Sequence, residues 1–335
     1  MWESIGNILH GEPVDKSEVA RIRDLILYDG KDLKNKLVKF FVLLLLSSGI
    51  ATYGLLSNSV AVIIGAMIIA PLMLPIMGLA YSISAGDSRA MKNSLFLSLG
   101  GIFASIMVGF ILTLPLTGTF QAQSIDQIMV RTSPGLLDLL AALVTGLAGA
   151  FAMSRSDVSD TLPGVAIAIS LVPPLANTGI LLATSNYSLA IGSLLLFMTN
   201  YFAILITGTA LFGIMGFSRV TFLERSLDAK KKGIALVLIC LIIIIVPLAY
   251  NGYYAAQDNI VTQTVSDASI QWLDGSGYEL QSVNTQSQNN TVIMNIIGNG
   301  PLPPVQKLEN QVKGKIYGKK IRVQVIYSDS YLVNG

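Results

Sequence analysis

Asn177 stands three residues after the pair Pro173 and Pro174 in the apolar run VAIAISLVPPLANTGILLATS. An amide beside a helix break can offer a solute both a donor and an acceptor. Proline removes a backbone donor and clashes with the preceding turn, so the run is expected to break there. The same arrangement occurs earlier, where Pro71 and Pro75 interrupt VAVIIGAMIIAPLMLPIMGLAYS. The carbonyls of Ala70 and Val172, just before Pro71 and Pro173, would be freed by these breaks. Carbonyls freed in hydrocarbon persist only where they face protein or water. Ser170, Thr178 and Asn58 add neutral polar groups near the same runs. The chemistry on offer is therefore coordination by backbone groups and neutral side chains. Each residue also has a plainer role open to it. An interhelical hydrogen bond from Asn177 contributes about 1 kcal/mol, and Asn200 reads better as such glue.

Ionisable groups are rare in the apolar runs. Asp138 lies about one turn into one of them, and Asp87 and Arg155 lie at the ends of others. Ionisable residues within a membrane are functional candidates by default. Asp138 is shallow, however, and a carboxylate there suits the start of a helix. No carboxylate falls near the middle of a run, which argues against a proton relay. The one histidine, His10, is in the polar N-terminal stretch, and the one cysteine, Cys240, is in an apolar run. No metal cluster, intrachain disulfide, phosphate loop or pair of central aspartates is visible. We expect no enzyme and no cofactor.

The elements that must hold these groups follow from composition. The chain has 335 residues, 52% apolar and 13% charged. A soluble domain carries about 25% charged residues. Lipid is therefore the expected main solvent. A net charge of +2 is too small to imply nucleic acid. Crossing a bilayer takes roughly 20 helical residues. Seven apolar stretches, near 37–56, 60–85, 93–115, 135–154, 162–184, 189–215 and 233–250, predict an all-α polytopic membrane protein. Residues 1–36 are polar, with an amphipathic helix over Ser17–Leu27, and 116–134 is a more polar outer loop with room for an interfacial helix. A basic loop occupies 216–232, and 251–335 reads as a separate unit. Its order is helix 257–273, strands 278–286 and 291–297, helix 303–317 and strand 321–327, a small α/β module.

Basic residues fix the expected orientation. Lys31, Lys34, Lys36 and Lys39, then Arg89 and Lys92, Arg155, and Arg219, Arg225, Lys230, Lys231 and Lys232 all fall on one side, against Arg131 on the other. This puts the N-terminus in the cytoplasm and 251–335 outside.

The two proline-bearing runs also align. Val62, Ile64, Pro71, Leu72, Leu79, Ala80 and Ser82 match Val165, Ile167, Pro174, Leu175, Leu182, Ala183 and Ser185 at one constant offset. Each is the middle of a three-span unit, 37–115 or 135–215. A unit with an odd number of spans inverts on duplication, which predicts a three-plus-three inverted repeat with two broken helices. Gly101, Ser105 and Gly109, and Ala142, Gly146 and Ala150, form small-residue stripes that let helices approach closely.

The stretch SNSVAVIIGAMIIAPLMLPIMGLAYSISAGD resembles the signature of the prokaryotic hydrophobic proteins catalogued as domain of unknown function 389. The stretch GLAGAFAMSRSDVSDTLPGVAIAISLVPPLANTGI resembles that family's second block. The resemblance covers roughly 37–215 and implies a prokaryotic cytoplasmic-membrane protein. It assigns Gly65, Pro71, Pro75, Gly78 and Asp87 to the first block, and Arg155, Asp160, Pro163, Pro173 and Pro174 to the second. It carries no chemical role for them.

The expectation is a channel or secondary transporter for a small solute or ion, as a homo-oligomer in the lipid bilayer. Its site would lie where the two broken spans cross. The alternative is an envelope sensor or assembly protein whose outer unit binds a partner.

Overall fold

The computed structural model describes residues 14, 16–30, 32–155, 171–217, 227–286 and 290–327. The chain divides into two units, 1–248 and 249–335.

The first unit opens with α1 (Lys16–Ile26), which buries Val19, Ile22 and Ile26 at helical spacing. Next comes α2 (Leu33–Leu56), a long apolar helix. The second predicted span is two helices, α3 (Val60–Ile69) and α4 (Met73–Ala85), bent by 48°. The cause is local. Pro71 has no N–H, so the ladder stops, and the amide of Ala70 turns back to Met67 O at 3.3 Å. Pro75 sits in the first turn of α4, where a missing N–H leaves no bond unmade. The turn after α4 uses Gly86 at φ 75°, and Asp87 then caps α5 (Ser88–Thr113) by accepting from Ala90 N at 3.0 Å.

The loop 114–135 folds into two 3-10 turns, Leu114–Leu116 and Ala122–Ser124, and the short helix α6 (Asp126–Met129). Among the described residues, three helices follow: α7 (Leu136–Ser154), α8 (Val172–Ala183) and α9 (Tyr187–Ile214). Pro173 and Pro174 lie in the first turn of α8. The part of the predicted span 162–184 that precedes residue 171 lies outside the described residues.

Burial separates the helices. α4 buries every residue but Leu74, and α8 buries Val172 through Leu181. A helix buried all round belongs at the centre of a bundle. Both α4 and α8 lie against α5 and α9, and α8 also against α2. α3 and α7 instead turn Val60, Ile64, Ile68, Leu137 and Val144 outward. The small-residue stripes sit inside, as expected: Gly101, Ser105, Gly109, Ala142, Gly146 and Ala150 are buried. Gly109 of α5 rests on the backbone of Ala176, and Gly179 of α8 on the backbone of Ile106 to Phe110. A Cβ at either glycine would overlap those atoms.

One long helix, α10 (Leu227–Leu273), replaces the separate span 233–250 and helix 257–273 read from the sequence. A single glycine, Gly252, costs a helix only about 1 kcal/mol, too little to stop it.

The second unit has its own core, including Val261, Val265, Trp272, Val292, Met294, Ile296 and Leu308. β1 (Tyr278–Gln286) pairs antiparallel with β2 (Thr291–Gly298), with a bulge between Leu280 and Ser282. After α11 (Val305–Val312), β3 (Lys320–Tyr327) returns parallel to β2. The order β1-β2-β3 gives the predicted α/β module. The second helix is shorter than the expected 303–317. Gly314 and Gly318, at φ 76° and 73°, adopt left-handed conformations that end it.

Candidate functional site

At the first break, Ser47 of α2 donates its hydroxyl to Ala66 O at 2.7 Å. That carbonyl belongs to the last turn of α3, which the proline deprives of partners. Protein therefore covers part of the gap. Ala70 itself is extended, at ψ 124°, and half-buried, as is Pro71.

At α8, Asn177 is wholly buried. Its Nδ2 donates to Ile128 O of α6 and to Ser193 Oγ of α9, both at 3.1 Å. Ser193 in turn donates to Pro174 O at 2.9 Å, and Thr178 back-bonds to the same carbonyl at 2.8 Å. Both donors of the Asn177 amide are thus engaged, while its Oδ1 has no protein partner. The hydroxyls of Ser48 on α2 and of Ser98 and Ser105 on α5 are also buried without one. These helices flank α8. A helix N-terminus usually favours anions through its free N–H groups. Here Pro173 and Pro174 have none to give. The oxygens left unengaged on α2, α5 and α8 are neutral ones.

The other predicted residues distribute differently. Val172, Pro173, Pro174, Asn177 and Thr178 are together on α8, and Pro75 is buried in the matching turn of α4. Asn58 is not with them. It is exposed, at φ 55°, and its Oδ1 accepts from Gln127 N of α6 at 3.0 Å, so it ties down the loop around α6. Asp138 accepts from Gly135 N at 2.8 Å and caps α7. Asp87 caps α5 and pairs with Arg23 at 3.1 Å. Burial opposes the Arg23 charge, but the hydrogen bond to Asp87 and neighbouring charge outweigh it and raise its pKa. Arg155 ends α7 with its guanidinium 5.8 Å from the Phe151 ring centre. Ser170, Asp160, Pro163 and His10 lie outside the described residues. Sequence reasoning did not foresee Ile128 or Ser193. Ser193 carries a faint signal as a polar residue in an apolar run, whereas a backbone carbonyl carries none.

Fold and site together define a class: a mostly helical chain in which Leu33–Leu56, Ser88–Leu116, Leu136–Ser154 and Tyr187–Ile214 are long and apolar enough to cross a membrane, and the bent pair makes a fifth. The chain belongs to the family described as Domain of unknown function (DUF389), whose profile matches residues 67–206. The match takes in the break at Pro71, the loop around α6, α8 and most of α9. It leaves out α1 and the second unit. An uncharacterized protein of Methanocaldococcus jannaschii is 31% identical over 224 residues, which are 66% of this chain and 68% of that one.

Proposed function

We propose that this protein passes a small polar solute or ion across a membrane, as a channel or secondary transporter. The route runs where the broken segments 60–85 and 162–184 cross. The observation that carries this reading is the pair of buried half-helices, α4 and α8. Each opens with proline in its first turn at the centre of an apolar bundle. Polar groups buried in such a place are costly unless protein, water or a guest meets them. Ser47 and Ser193 meet two of the carbonyls. The Asn177 Oδ1 and the three serine hydroxyls remain for water or solute.

In this reading α10 supplies a seventh span over 233–250, and 37–115 and 135–215 are inverted copies. Cross-packing supports the relation. α4 lies against α5 of its own unit and α9 of the other, while α8 lies against α9 of its own unit and α5 of the other. Small contacts recur in both places: Gly109 of α5 meets Ala176 of α8, and Gly208 of α9 meets Met77 and Ala80 of α4. The basic-residue bias places the N-terminus in the cytoplasm and 251–335 outside. The protein works as a homo-oligomer, without enzymatic activity.

The test is flux. Purified protein in liposomes is expected to move at least one member of a broad panel of ions and small polar solutes. Movement of none counts against the reading. The alternative, an envelope sensor or assembly protein, draws on the separate core of the second unit. Deleting 251–335 separates the two. Flux persists under the first reading, and the cellular phenotype of the protein disappears under the second.

A further inference from the structure

We infer that the fold carries two matched gates, one over each buried half-helix. The inner gate is α1 with the residues just after it, and the outer gate is the loop around α6. This rests on the transport reading above.

Each gate sets the carbonyl of a buried isoleucine against a buried helix that opens with proline in its first turn, α4 or α8. On one side, Ile26 O abuts Gly78 of α4, where a side chain would collide with it. On the other, Ile128 O accepts from Asn177 of α8. Both isoleucines are fully buried. Each gate also precedes, in the chain, the first helix of the three-helix unit on which it sits. The local sequences echo one another, DLIL over 24–27 and DQIM over 126–129. The repeat unit is therefore four elements, a cap and three helices.

Polar contacts at the periphery hold both caps. Arg23 pairs with Asp87 at 3.1 Å, and Arg21 donates to Met153 O at the end of α7 at 3.1 Å. On the outer side, Asn58 accepts from Gln127 N at 3.0 Å, and Gln123 donates to Asn186 Oδ1 at 2.5 Å. Such part-exposed bonds are individually weak and can open one side without unpacking the bundle. The outer cap is also autoinhibitory. Ile128 O occupies a donor of Asn177, so a solute needing that donor must displace the cap. With both caps seated, α4 and α8 are each covered at these carbonyls. Alternate opening about a central site is what a carrier requires.

Accessibility tests this without knowing the solute. In a Cys240→Ser background, Ser193→Cys reports on the outer gate. Ser94→Cys, which faces Gly78 from α5, reports on the inner one. Both serines are buried. The probe is a positively charged methanethiosulfonate, applied to protein in nanodiscs and read by mass spectrometry. Asn58→Ala with Asn186→Ala is expected to speed labelling of Ser193→Cys at least tenfold and to leave Ser94→Cys within twofold. Arg23→Gln with Asp87→Asn keeps a capping side chain on α5 and is expected to do the reverse. If either pair speeds both reporters alike in folded protein, or neither, the proposal fails. If a pair unfolds the protein, a tether decides. Gln123→Cys and Asn186→Cys, bridged by a short bifunctional thiosulfonate, must slow labelling of Ser193→Cys, and an unchanged rate overturns the outer gate. Because the readout is not flux, a protein that moves no solute can still show both gates, so the two failures are separable.

Discussion

Ser47 shows how a single hydroxyl can keep a broken helix tolerable inside an apolar bundle. Its bond to Ala66 O is buried on both sides. Ser47→Ala leaves that carbonyl without its partner and is expected to lower stability by about 1–3 kcal/mol, read as a drop in melting midpoint in detergent. Asp138 makes the opposite case. Its carboxylate caps α7, so Asp138→Asn is expected to keep both stability and flux, while Asp138→Ala costs about 1 kcal/mol. A flux that vanishes in Asp138→Asn but not with loss of fold would assign the residue a transport role after all. Asn177 was legible in the sequence as an amide just past two prolines in an apolar run, and its bonds to Ile128 O and Ser193 are of the interhelical kind that the sequence left open. Its partner Ile128 O was not, because every residue has a carbonyl and only the tertiary fold selects one. The sequence placed Asn58 no further than the start of its own apolar run. That place says nothing of the loop around α6 that meets it.

At the scale of elements, close backbone approach between α5 and α8 is an exacting requirement. Gly179→Leu puts a side chain into the backbone of α5, and the variant is expected to elute as aggregate rather than as folded protein in size-exclusion chromatography. Gly65 has open space where its Cβ would go, so Gly65→Ala should fold normally and gain about 0.5–1 kcal/mol in a thermal melt. The contrast distinguishes glycines that permit contact from those that merely fall in a helix. The break between α3 and α4 was legible because proline acts on its own helix. The length of α10 was not. An apolar stretch followed by an amphipathic one reads as two elements, yet nothing in 251–256 is a strong enough stop to separate them. The α1 helix was legible from its apolar spacing, but its seat against Gly78 was not, since the partner lies far along the chain.

For the whole molecule, the two units carry separate burdens. Trp272 packs in the core of the second unit and donates to Pro304 O at 3.0 Å. Trp272→Ala is expected to destabilise that unit by about 3–5 kcal/mol, seen as faster hydrogen exchange across β2, with flux unchanged. The central claim concerns the first unit: solute crosses beside α8, where neutral oxygens go unmet by protein. The most direct test compares wild-type protein with Asn177→Leu in liposomes, each first shown to be folded and inserted. The wild type should carry a solute from the panel that the variant carries at least tenfold more slowly. An Asn177→Leu protein that carries the solute at the wild-type rate would contradict the account, as would a wild type that carries none.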